Sequence, residues 1–99
     1  MAASVRWTEG ARDDLRDIWS FIARDSRRAA EATVDRLIDA SVELAVFPDR
    51  GRSLPEFPEL DYRELLIGSY RLIYRHAASV VWVLAVVHGR RQLREPPLR

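Results

Sequence analysis

The run Val80–Val87, VVWVLAVV, constrains this chain more than any other segment. It is far shorter than the roughly 20 apolar residues of a membrane-crossing helix. Its β-branched and aromatic content favours a strand. A strand with no polar face lies inside a sheet and is covered on both sides. Strict alternation puts Val81, Val83, Ala85 and Val87 on one face, and Trp82, Leu84, Val86 and His88 on the other. The rest of the chain must supply neighbouring strands and two covers.

Neighbours are readable nearby. Tyr62–Ile67 reads as a strand, Gly68-Ser69 as a two-residue hairpin turn with Gly first, and Tyr70–Arg75 as the returning strand. A turn at His76–Ser79 leads into the apolar run. Ser4–Trp7 alternates and reads as a further strand. Two amphipathic helices follow it. Thr8 suits an N-cap, and Ala11, Leu15, Ile18, Trp19 and Ile22 form a helical stripe. Asp13 can pair with Arg16 one turn on. Asp25-Ser26 breaks the helix and caps the next. That second helix is expected from Arg27 to Phe47, with Ala30, Val34, Leu37, Ile38, Ser41, Leu44 and Ala45 as its stripe and Pro48 as its stop. So short a link makes the pair an antiparallel hairpin.

The expectation is therefore a single α+β domain over residues 1–99. Its order is β-α-α-β-β-β, with a helical hairpin on one face of a small, mostly antiparallel sheet and an extended tail at 92–99. The hairpin covers one face only. The tail, a second copy or a partner protein must shelter the other. Trp7, Trp19, Leu37 and Phe47 are expected in the core, and Trp82 in the core or under a partner. The segment DRGRSLPEFPELD at 49–61 is a loop near the length limit for a structureless connection, which suggests a partner or functional role.

Composition narrows the chemistry. There is no Cys, so disulfides, thiolate zinc sites and thiol nucleophiles are excluded. All 16 basic residues are Arg, which removes any lysine base, Schiff base or phosphate-binding ammonium. The net charge of +1 conceals an asymmetry: residues 1–61 carry nine Arg against 13 acids, and residues 62–99 seven Arg against two. Such a split marks a partner surface, or only acidic helix faces and Arg-bearing strands. His76 and His88 lack companions at ligand spacing, so no metal or cofactor is expected. With no signal peptide or membrane span, the chain is expected to be soluble and cytoplasmic.

The informative cluster is Arg63, Arg71, Arg75, His88, Arg90 and Arg91. Guanidinium groups grip phosphates and carboxylates bidentately. A phosphodiester-cleaving site can be drawn from Arg71, His88 and Arg90, with Glu56, Glu59 or Glu64 as base. The same surface suits the carboxylates of a partner. On the plainer reading Glu56 and Glu59 are solvated loop residues.

Four segments together resemble a known family: VRWTEGARDDLRDIWSFIA at 5–23, FPDRGR at 47–52, RELLIGSYRLIYR at 63–75 and VVHGRR at 86–91. In this order, over nearly the whole chain, they look like a toxin of the ParE/RelE superfamily from bacterial type II toxin–antitoxin modules. The resemblance implies the fold just derived and a cognate ParD-like antitoxin whose C-terminal segment wraps the toxin as helix and strand. The antitoxin is expected on Arg63, Arg71, Arg75, Trp82, Arg90 and Arg91, and the target on His88, Arg90, Arg91 and Arg94. ParE-like toxins poison DNA gyrase and block replication, whereas RelE-like toxins cleave mRNA on the ribosome. The chain departs from the RelE pattern: it has no Lys, no Tyr after Tyr74 and little net charge for an RNA binder. The ParE-like branch, a gyrase inhibitor rather than an enzyme, is the primary expectation. An mRNA endonuclease using Arg71, His88, Arg90 and Glu56 is the alternative, and an inert antitoxin binder the second.

Overall fold

The computed structural model describes residues 2–97; the part of the expected tail at 98–99 lies outside the described residues. In chain order the elements are β1 (Ser4–Trp7), α1 (Glu9–Ala23), α2 (Arg27–Glu43), β2 (Arg52–Ser53), β3 (Tyr62–Ile67), β4 (Tyr70–Ala77) and β5 (Val80–His88). The sheet runs β1-β5-β4-β3-β2. All pairs are antiparallel except β1 with β5. The expected α+β order is present, with one addition: β2 lies inside the stretch read as loop.

Local chemistry sets the helix ends. The Thr8 and Ser26 hydroxyls each accept a bond at 3.1 Å from the backbone N–H three residues on, closing the first turns of α1 and α2. Asp13 and Arg16 do pair. α2, however, ends at Glu43 and not at Phe47. The N–H groups of Leu44, Ala45 and Val46 each bond the carbonyl three residues back at 3.1 Å, so the chain tightens before Pro48 is reached. This turns Phe47 outward, 62% exposed, where the sequence stripe placed it in the core. Leu37 is fully buried, Trp7 packs partly buried on the core, and Trp19 is half-buried under the Arg27 guanidinium, 5.8 Å above its ring.

β5 is central, as its apolar run requires, but its alternation is broken. Ile73 faces Ala85 and Tyr74 faces Val83, so Leu84 is an extra residue, a β-bulge. Beyond it the faces exchange. Val81, Val83 and Val86 join Ala11, Ile18, Leu37, Leu44, Leu72 and Tyr74 under the helices. Ala85 and Val87 turn to the opposite face, with Leu54 and Ile73. Strict alternation grouped these residues wrongly because an inserted residue leaves no mark in a uniformly apolar run. Side chains bind the groups it displaces: the Thr8 hydroxyl donates to Leu84 O at 3.3 Å, and the Asp14 carboxylate accepts from Val86 N at 2.9 Å. Burial pushes the Asp14 carboxyl up from its ordinary range.

The second cover comes from the chain itself. Leu54 and Phe57 from the 49–61 loop and Leu93 from the tail pack over Ile73, Ala85 and Val87, with Tyr62 at the side. Tyr74 anchors the start of that loop: its buried hydroxyl donates to Pro48 O at 2.7 Å and accepts from Gly51 N at 2.8 Å. Gly51 passes so close that a Cβ there would stand 2.7 Å from Glu64 O and 2.8 Å from the Tyr74 ring.

Candidate functional site

Where the second cover ends, the sheet carries an open groove of about 610 Å³ lined by Arg52, Glu56, Glu64, Arg71, His88 and Arg90. Arg71 points to the loop-covered face from the middle of β4, and its side chain is only 6% exposed. Its Nε donates to Glu64 Oε1 at 2.7 Å. Its two terminal nitrogens grip Glu56 end-on, at 2.8 and 2.6 Å. One of them also donates to Arg91 O at 2.9 Å. The other Glu64 oxygen accepts from Arg52 Nε at 2.6 Å. The result is a chain of ion pairs, Arg52–Glu64–Arg71–Glu56, with both carboxylates largely or wholly withdrawn from water.

This arrangement changes the roles read from sequence. Glu56 is no solvated loop residue. Its bonds to Arg71 hold its pKa at about 2, so it is a poor proton acceptor near neutrality. Arg71 is raised further from its ordinary value, chiefly by Glu56. Four of the donors on this guanidinium are spent inside the chain. Glu59 is exposed and stands apart.

The remaining predicted residues fall into two groups. His88, Arg90, Arg91 and Arg94 sit at the C-terminal end of β5 and just beyond it, all exposed. His88 Nδ1 accepts from the Arg90 backbone N–H at 3.3 Å, Nε2 has no hydrogen-bond partner among the described residues, and Tyr70 meets the ring edge-on at 5.9 Å. Among the described residues the side chains of Arg90, Arg91 and Arg94 enter no ion pair. The second group lies four residues along β4, about 13 Å away at the usual strand rise. Arg75 pairs with Asp61 at 3.1 Å and lies across from Trp82. Arg63 donates to Gly51 O at 2.7 Å and Asp49 O at 3.3 Å, tying down the loop. The residues expected to hold an antitoxin thus form no single patch.

Sequence reasoning passed over one surface. Ile38, Val42, Val46 and Phe47 are all exposed large apolar side chains, aligned along the outer side of α2 and its exit. Ile38 also borders a groove with Val5, Trp7, Leu15 and Trp82 beside the free edge of β1. Ile38, read on the buried stripe, and Phe47, read as core, are instead 40% and 62% exposed; for Val42 and Val46 the signal was available, since both fall outside that stripe. Among the described residues there is no cluster of His, Asp and Glu able to hold a metal. No helix there is long and apolar enough to cross a membrane.

The molecule is thus a helical hairpin on a five-stranded sheet, with an Arg-centred groove at the end of the face that the hairpin leaves uncovered. Solved structures share the fold, among them the following three. The chromosomal ParDE system of P. aeruginosa matches with TM-score 0.73 and 19% identity over 88% of this chain and 96% of that one. The RelBE2 toxin–antitoxin complex of Mycobacterium tuberculosis matches with TM-score 0.65 and 26% identity over 89% and 99%. A mutant E. coli RelE toxin in the free state matches with TM-score 0.65 and 23% identity over 91% and 86%. The family model for the ParE toxin of the parDE type II toxin–antitoxin system matches residues 5–93, and the chain belongs to this family. No curated protein matches it.

Proposed function

We propose that this toxin acts by binding DNA gyrase as a protein inhibitor, with His88 and the guanidinium groups of Arg90, Arg91 and Arg94 as the contact surface. The carrying observation is the closed ion-pair chain in the groove. A ribonuclease needs a guanidinium free for the phosphate and a base free for the proton. Here Arg71 is bound to two carboxylates, and the nearest carboxylate, Glu56, is held at about 2. Arg90 at the rim of the groove and Arg91 and Arg94 beyond it enter no ion pair among the described residues, and such a surface suits an acidic protein partner. A supercoiling assay tests the reading: purified toxin at micromolar concentration is expected to block gyrase, and unimpaired supercoiling overturns it.

One observation favours a second reading. His88 and Arg90 line the same groove, and His88 is exposed with only its Nδ1 engaged among the described residues. Toeprinting on translating ribosomes decides it. Codon-specific cuts abolished by His88→Ala would establish an mRNA endonuclease of the RelE kind and remove the gyrase reading.

The structures it resembles include toxin–antitoxin assemblies. A ParD-like antitoxin is accordingly proposed as the partner, and the exposed ridge Ile38–Val42–Val46–Phe47 as part of its seat. Val42→Glu should weaken the complex about tenfold or more by calorimetry, as loss of a buried apolar contact at an interface centre does. Unchanged affinity would place the antitoxin elsewhere.

A further inference from the structure

We propose that Arg71 and Glu56 are a positioning pair: they fix the direction of the segment Arg90–Arg94 and so pre-form the cationic surface by which the toxin acts. This rests on the reading that the segment contacts the target. The geometry is specific. After β5, Gly89 N bonds Ser69 O at 2.8 Å and Arg91 N bonds His88 O at 3.0 Å. Beyond Arg91 no further backbone–backbone hydrogen bond holds the described residues. Side chains take over. Arg71 donates to Arg91 O at 2.9 Å, and Glu56 Oε2 accepts both from Arg71 at 2.8 Å and from Leu93 N at 3.1 Å. One guanidinium and one carboxylate thus grip alternate residues of the segment, 91 and 93. Glu64, fully buried, grips Arg71 from behind, so the pair is fixed to the sheet. Leu93 drops into the second cover between these bonds.

An ion pair withdrawn from water is poor value as a source of stability alone, because desolvation offsets most of the attraction. It does impose direction. The Arg71 fork donates to Glu56 in one plane and directs a further N–H at the Arg91 carbonyl at a fixed angle. A segment held this way presents Arg90, Arg91 and Arg94 already ordered, which removes an entropic cost from binding.

The test uses the full toxin with Glu56→Ala and Glu56→Gln. Hydrogen exchange at the Leu93 amide is expected to quicken roughly tenfold in Glu56→Ala, as when a charge-assisted hydrogen bond is lost, and less in Glu56→Gln. Growth arrest on expression without antitoxin, which does not depend on which target is hit, should weaken in the same order. Antitoxin affinity, read by calorimetry, should stay within about twofold, since the ridge lies on another face. A second variant breaks the clasp from the tail: Leu93→Pro removes the amide donor in addition to the side chain, and should be less toxic than Leu93→Ala. Unchanged Leu93 exchange in Glu56→Ala overturns the clasp. Quickened exchange with undiminished toxicity overturns its positioning role. Supercoiling by wild-type toxin reports separately on gyrase: if gyrase is untouched while toxicity still follows Leu93 exchange, the target assignment falls and the positioning pair stands.

Discussion

At the scale of single residues, carboxylates decide what the arginines are free to do. Arg71 stood out in the sequence as a member of a basic cluster, and it is central to the groove. Its role was not legible, because the carboxylates that occupy it stand seven and 15 residues earlier in the chain, one on the neighbouring strand and one in the irregular 49–61 segment. Residue type announced a strong anion binder; only the fold shows that the anion is the chain's own. The pH dependence follows. Glu56 sits at about 2 in the folded chain against an ordinary 4.5, so its contribution to stability is complete above 4.5 and is lost as pH falls towards 2. Acid unfolding of the wild type should therefore show a steep loss within that window, and the loss should be shallower in Glu56→Gln, as followed by circular dichroism. Asp14, displaced upward by burial, works in the opposite sense: its contribution is present at low pH and lost as pH rises through its folded value, so it softens the acid limb. Gly51 gives a second prediction at this scale. Gly51→Ala should cost about 2 kcal/mol, because the new methyl meets a carbonyl and a buried ring that cannot move aside. Chemical denaturation checks it, and a midpoint shift below a few tenths of a molar in urea would contradict it.

At the scale of elements, the sequence was most informative where a period was sustained. The caps at Thr8 and Ser26, the span of β3 and the centrality of β5 were all visible. What escaped lay where one residue alters a period: the bulge at Leu84, and the tightened turn after Glu43 that sends Phe47 to solvent. Both faces of β5 are apolar, so no polar residue betrayed the exchange. The β4–β5 turn carries a small strain of its own. Ala78 holds φ 55°, the left-handed region that glycine adopts freely, just as Gly68 does at 59° in the preceding hairpin. Ala78→Gly relieves the Cβ clash but adds chain entropy, for a net gain of about 0.5 kcal/mol and an upward melting shift of a few degrees. A lower melting temperature would show that the turn is not strained.

At the scale of the whole molecule, the acidic front and basic back of the sequence are not two separate faces. Acids from the front reach into the basic half: Glu56 takes Arg71, Asp61 takes Arg75, and Asp49 lies 3.8 Å from Arg63. Among the described residues of the basic half, the arginines that enter no ion pair are Arg90, Arg91 and Arg94, so the charge asymmetry resolves into one short Arg-bearing segment after β5. Composition revealed the imbalance, and only long-range pairing revealed where the remainder lies.

The sheet order carries a consequence in time. β1 hydrogen-bonds only to β5 within the sheet, the first strand made waiting for the fifth. β4 likewise lacks one neighbour until β5 arrives. A nascent chain that has emerged as far as β4 has its hairpin of helices but no completed sheet to set them on, and the contacts still missing are the longest-range ones. The sheet can thus close only near the end of synthesis, when β5 joins β1 to β4.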